Sequence, residues 1–170
     1  MKIINLNSNQ IITLNDYPIR NEQILKLYFR MSHKGKRSLV PPCPVLSENL
    51  LISHFNNKLK NLFIEFQLRN PKAKYFLLDG SHKTTAATLS RKRIPVMIFE
   101  SDRDIQNAKR LVEEGEILSL TTGATIRHAI NILKRHFNKT RIFQTVEEKT
   151  NKMIRKKQLP TYMIKVYYEK

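Results

Sequence analysis

Asp79, His82 and Lys83 stand within five residues of one another, interleaved with Gly80 and Ser81 and followed by Thr84 and Thr85. A carboxylate, an imidazole and an ammonium at this spacing can hold an anion, bind a divalent cation or move a proton. Glycine at the centre lets backbone N–H groups approach a ligand closely. The apolar run Tyr75–Leu78 ends abruptly at Asp79-Gly80, and small, helix-compatible residues follow from Ser81 to Leu89. The pattern predicts strand, tight turn and helix, with Ser81 as the cap. The open amides of such a helix suit a phosphate. The same letters also fit a plain turn followed by a capping serine. A P-loop is excluded, because that motif needs a second glycine five residues before a Gly-Lys pair, and here Lys83 follows His82.

Three motifs in order carry a resemblance to the ParB/sulfiredoxin superfamily. They are Val40-Pro41-Pro42-Cys43-Pro44-Val45, the central Leu77-Leu78-Asp79-Gly80-Ser81-His82-Lys83-Thr84-Thr85-Ala86-Ala87, and Arg93-Ile94-Pro95-Val96-Met97-Ile98. The match covers roughly residues 1 to 100, departs at Lys83 where the family usually has arginine, and leaves a helical insertion near 48–70. The resemblance implies an α/β (α+β) fold with a mixed sheet and flanking helices. It further implies a nucleoside tri- or diphosphate (ATP, ADP or CTP) with Mg2+ at the turn. Gly80, Ser81, His82, Lys83, Thr84 and Thr85 would hold phosphates, Asp79 the metal or substrate, and Asp79, His82 and Glu22 would be the catalytic candidates. Glu22 has the alternative of a first-turn glutamate favoured by the helix dipole.

Three activities within that family are weighed. Sulfinic acid reduction is excluded, since Ser81 stands where the family's reductase has its thiol and a hydroxyl cannot replace a thiolate in that step. Nucleotide hydrolysis or phosphoryl transfer beside a nucleic-acid-compatible surface is the main expectation. A non-enzymatic DNA- or RNA-binding module and a free-serine-type kinase using Glu22 as base are the alternatives.

The elements that must position these residues read as follows. Lys2–Leu6 and Gln10–Leu14 alternate around Asn-Ser-Asn-Gln, predicting an opening hairpin or a pair of strands. Asn21–Met31 has helical spacing with Asn21 as cap, and Ser32–Ser38 reads as a mobile basic loop. A short strand is expected near Val45–Leu46. Phe55, Leu59, Leu62, Phe63 and Phe66 form one apolar helical face. Ile94–Phe99 reads as a strand buried on both faces and is expected beside Phe76–Leu78, as in strand–helix–strand units. Asp102–Glu116 is an acidic helix without evident chemistry.

From Thr121 onward twelve bases face three acids. Two amphipathic helices are expected there, around Ile126–Phe137 and Val146–Met153, the second with Lys149, Lys152, Arg155, Lys156 and Lys157 exposed. Tyr162–Tyr168 is open between strand and helix. The link between the two helices is too long for a helix-turn-helix. Residues 1–100 are thus expected to form the family-like domain and 101–170 a basic helical extension packed on it.

The whole chain of 170 residues carries 31 Lys and Arg against 14 acids, a net charge of +17, which points to anionic partners. One cysteine, Cys43, excludes an internal disulfide and a cysteine-based metal cluster. With no early apolar segment and no long apolar run, a soluble cytoplasmic protein without membrane contact is expected.

Overall fold

The computed structural model describes residues 1–15, 21–34, 40–115 and 124–169. Apolar and β-branched runs become the strands Lys2–Leu6 (β1), Ile11–Thr13 (β2), Cys43–Ser47 (β3), Tyr75–Leu77 (β4), Ile94–Phe99 (β5) and Gln144–Thr145 (β6). Segments with helical spacing become Glu22–His33 (α1), Glu48–Ile52 (α2), Asn57–Arg69 (α3), Ser81–Leu89 (α4), Asp102–Glu113 (α5), Ile126–Thr140 (α6), Val146–Arg155 (α7) and Thr161–Tyr168 (α8). The strands form one mixed sheet in the order β1-β5-β3-β4-β2-β6. The fold is therefore mixed α/β, of the α+β kind the sequence predicts.

Several elements differ from the sequence reading. The opening strands are not a hairpin. β1 pairs antiparallel with β5, whereas β2 pairs parallel with β4 and antiparallel with β6, so no ladder is left between β1 and β2. Between them Ser8–Gln10 forms a 3-10 turn, in which the Asn7 N–H donates to Gln10 Oε1 at 2.8 Å. β4 and β5 are not neighbours either. β3 lies between them, antiparallel to β4 and parallel to β5, so β4 and β5 run in opposite directions. The central place of β3 follows from its burial: Cys43, Val45 and Leu46 are completely enclosed.

Ser32 and His33 belong to α1 rather than to the basic loop, of which residues 35–39 lie outside the described residues. The Phe55 face is broken in two. α3 begins only after Asn56, whose Oδ1 accepts from the Leu59 N–H at 2.9 Å, and Phe55 precedes that cap yet is buried in the same cluster. Tyr162–Tyr168 is helical. Thr145 caps α7 with its side chain accepting from the Glu148 N–H, and the link from α6 to α7 contains β6, so the two helices are separated by a strand of the sheet.

Two packing clusters hold the site in place. On one side of the sheet α3, β4 and α6 meet in a group of phenylalanines, with Phe137 and Phe143 stacked at 4.5 Å and Phe63 and Phe143 edge-on at 5.1 Å. On the other side α1 and α8 pack over α4 through Leu25, Phe29, Ala86, Leu89 and Met163. The small residues of α4 allow this: Ala86 has no side chain beyond Cβ, and every residue of the helix except His82 is buried. The C-terminal third thus contributes β6 to the sheet and Phe137, Phe143 and Met163 to the cores. Among the described residues no helix is long and apolar enough to cross a membrane.

Candidate functional site

The turn between β4 and α4 is built by one glycine. Gly80 adopts φ 109° and ψ 30°, a left-handed conformation, and is itself the N-cap residue. Ser81, expected as the cap, is instead the first helical residue. The Gly80 N–H is held by the Asp79 side chain, Oδ1 accepting at 2.7 Å. The first helical bond of α4 runs from the Thr84 N–H to the Gly80 carbonyl at 2.9 Å. The amides of Ser81, His82 and Lys83 precede that bond, and such first-turn groups have no partner within their own helix.

The turn sits where ligands commonly bind in sheets with parallel pairs, outside the carboxyl ends of the strands. β2 and β4 are parallel, in the register Ile11↔Tyr75 and Ile12↔Phe76. Their ends, Thr13-Leu14 and Leu77 to Asp79, line a crevice with Gly80 and Ser81. It offers about 10 Å³, room for a single water.

His82 and Lys83 leave the helix in different directions. The His82 Nε2 accepts from the Asn21 N–H at 3.3 Å, just before α1. That bond requires the neutral ring with its proton on Nδ1. Burial pushes the His82 pKa below its usual value and the charge of Lys149 adds to this, while Asp79 opposes it. Asn21 also caps α1, its Oδ1 accepting from the Gln23 and Ile24 N–H groups at 3.0 and 3.1 Å. The starts of α1 and α4 are thereby brought together.

Lys83 turns inward. It is only 8% exposed, its Nζ lies 6.0 Å from the centre of the Tyr28 ring, and no carboxylate among the described residues pairs with it. An ammonium withdrawn from water without a counter-anion is unfavourable, and the ring face compensates only in part.

Cys43 lies behind the turn. It is fully buried, and burial pushes its thiol up to about 11, with Lys83 opposing and Asp79 adding to the shift. It is therefore a neutral, unreactive thiol at physiological pH. Tyr28 is also raised, first by burial and then by the charges of Cys43 and Asp79.

Of the residues singled out in the sequence, Asp79, Gly80, Ser81, His82 and Lys83 are held together at the turn. Thr84 and Thr85 are 2% exposed, and the Thr84 hydroxyl donates to the Ser81 carbonyl at 3.1 Å, so their side chains face the interior. Glu22 is at the start of α1, one residue from Asn21, but its carboxylate is 59% exposed and paired with Lys26 Nζ at 2.5 Å. Asp79 is not part of a ready-made metal cage: among the described residues no group of three or more His, Cys, Asp or Glu is placed to share a metal ion.

Three neighbours were not evident from the sequence: Cys43, Tyr28 and Lys149. The last, expected on the exposed face of α7, is 7% exposed and donates from Nζ to the Leu14 carbonyl at 3.1 Å. The end of β2 supplies an acceptor there that draws the lysine inward. Lys149 joins Lys152 and Lys156 at one cleft of about 210 Å³, so a cationic face of α7 starts near the turn and runs outward. No family model, curated protein or solved structure matches this chain.

Proposed function

We propose that the Asp79–Lys83 turn binds the phosphates of a nucleoside di- or triphosphate and supports phosphoryl chemistry, hydrolysis or transfer. The observation that carries this reading is the buried Lys83 ammonium, which pairs with no carboxylate among the described residues and lies beside the first-turn amides of α4, groups without a partner in their own helix. Anion binding relieves a buried cation and satisfies helix amides at once, so the two features favour the same ligand. The ParB/sulfiredoxin resemblance of the sequence suggests the same anion.

Because the crevice is water-sized, a phosphate would rest at its mouth against the Ser81, His82 and Lys83 amides. Asp79, oriented by the Gly80 N–H on its Oδ1, is a carboxylate of the kind that suits Mg2+, which takes one such group beside phosphates and waters. That ion, when bound, would neutralise phosphate charge. Lys83 and the amides would stabilise charge on the transferring group, which is most of what such chemistry asks of a protein. His82, neutral and fixed through Asn21, would orient α1 over the phosphates, and its far-side Nδ1–H could donate to a phosphate oxygen. Glu22, exposed and paired with Lys26, gives the kinase alternative little support.

A second reading has its own observation. The cationic face of α7, with Lys152 and Lys156 continuing from Lys149, suits a nucleic-acid backbone and needs no catalysis. Phosphate release from ATP, ADP, CTP and GTP with Mg2+, compared between the native protein and Asp79→Asn, tests the enzymatic reading. Release that Asp79→Asn abolishes supports it; none with any nucleotide, alongside salt-sensitive DNA binding, favours the module.

A further inference from the structure

A second, much larger cleft lies at the other end of α4. It measures about 610 Å³, within the range of small-molecule sites. Its walls come from the 3-10 turn after β1, the C-terminal end of α4, the Arg91–Arg93 link to β5, the first turn of α7 and the end of α8. α4 spans about 13 Å, so this cleft is distinct from the Asp79 turn.

We propose that this cleft is a second binding site, for a small phosphorylated molecule that also carries hydroxyl donors, as a sugar phosphate does. Among the described residues Arg91, Lys92 and Arg93 line it against a single carboxylate, Glu147, so it favours a multiply charged anion. Arg91 is already oriented. Its Nε donates to the Tyr167 carbonyl at 2.8 Å and its guanidinium lies 5.4 Å from the Tyr167 ring centre, leaving its terminal nitrogens for phosphate oxygens. Arg91 also holds φ 52°, a conformation uncommon outside glycine, which fixes the backbone of the cationic run.

The remainder of the ligand is read by acceptors. Asn9 lines the cleft, and its Oδ1 is buried with no hydrogen-bond partner. A ligand hydroxyl that reaches this oxygen supplies the donor it lacks. The other buried side-chain atom without a partner among the described residues is Ser90 Oγ, in the residue next to Arg91. Both unpaired groups thus belong to segments that wall this cleft. Glu147 offers a further acceptor for a hydroxyl.

Titration calorimetry of the full chain with ribose 5-phosphate, inorganic phosphate and ribose tests this site. Ribose 5-phosphate is expected to bind saturably, one per chain, at least about threefold tighter than inorganic phosphate, and ribose not to bind. Arg93→Glu should weaken ribose 5-phosphate at least tenfold, Asn9→Ala should erase the preference over inorganic phosphate, and Lys83→Met, which alters only the turn, should leave the ribose 5-phosphate affinity of this cleft unchanged. Arg93 is exposed, so its reversal leaves the core intact, and a circular dichroism spectrum checks that. The proposal is overturned by absence of saturable binding, or by equal affinity for phosphate and ribose 5-phosphate. It is equally overturned if Lys83→Met abolishes binding while Arg93→Glu keeps it, or if a single-stranded oligonucleotide displaces the sugar phosphate at a lower concentration than the sugar phosphate itself requires.

Discussion

A Cβ placed on Gly80 would stand 2.6 Å from the Cys43 sulfur and 3.2 Å from the Cys43 Cβ. The turn is thus pressed onto β3 with no room for a side chain, in addition to needing a left-handed backbone. Gly80→Ala should lower stability by about 2–4 kcal/mol, the sum of a left-handed conformational penalty and overpacking. Gly80→Ala combined with Cys43→Ala should recover part of that loss, since the sulfur is gone but the φ remains. Urea denaturation of the single and double variants measures both; an unaffected Gly80→Ala protein would show that the turn is not constrained in this way.

Lys83→Met should separate binding from stability. Removing a buried ammonium that pairs with no carboxylate among the described residues, and keeping the side-chain volume, should leave stability unchanged or raise it by about 1 kcal/mol. Phosphate-ligand affinity should fall by about 1–3 kcal/mol, the scale of a charge-assisted hydrogen bond. Thermal unfolding with and without ligand reads the two effects. Opposite signs are expected; loss of both would make Lys83 a structural residue.

His82 gives a pH signature. Burial, aided by Lys149, lowers its pKa, with Asp79 opposing, so the folded protein holds the neutral ring and the unfolded chain binds the proton first. Its contribution to stability is complete above the unfolded value of about 6.5 and is lost as pH falls through the folded value. The urea midpoint should therefore drop between pH 7.5 and 5.5, and His82→Gln should flatten that drop. A slope identical in the two proteins would remove His82 from the account.

Cys43 should resist modification. With its thiol raised to about 11 and fully enclosed, labelling by a thiol reagent at pH 8 should follow the opening of the fold and accelerate with denaturant. Fast labelling of the native protein would mean that the β3 side of the turn is open.

On the second reading, Lys152→Glu and Lys156→Glu should weaken duplex DNA binding and reduce its salt dependence. Each lysine that no longer neutralises a phosphate lowers the log–log slope by about 0.9. Binding measured by fluorescence anisotropy across salt concentrations checks this; an unchanged slope in the double variant would place any DNA elsewhere.

What can be read from the chain is local. The apolar run into Asp79-Gly80, the Asn21 cap and the spacing of Ile126 to Phe137 each lie within a few residues, and each forms as its chemistry dictates. The sheet order cannot be read this way, because the insertion of β3 between β4 and β5 depends on pairings between residues roughly thirty to fifty positions apart, such as Val45 with Leu77 and Ile98. Lys149 reads as a surface lysine on an amphipathic helix, yet its Nζ donates to the Leu14 carbonyl, a residue 135 positions away. Cys43 likewise stands remote from the turn in the chain, 37 positions before Gly80, yet the two meet across β3. The site residues are therefore legible as a motif, and their depth, pairing and neighbours are not.

Binding of a nucleotide at the turn is tested most directly by thermal shift of the native chain with Mg2+ and ATP, ADP, CTP or GTP, beside Lys83→Met and Arg93→Glu. Ligand at about a hundred times its Kd stabilises by about 2.7 kcal/mol, a shift of several degrees for a domain of this size. The expected result is a shift with at least one nucleotide that Lys83→Met clearly reduces and Arg93→Glu retains. No shift with any nucleotide, or one that survives Lys83→Met unchanged, would contradict the assignment of the turn as a phosphate site.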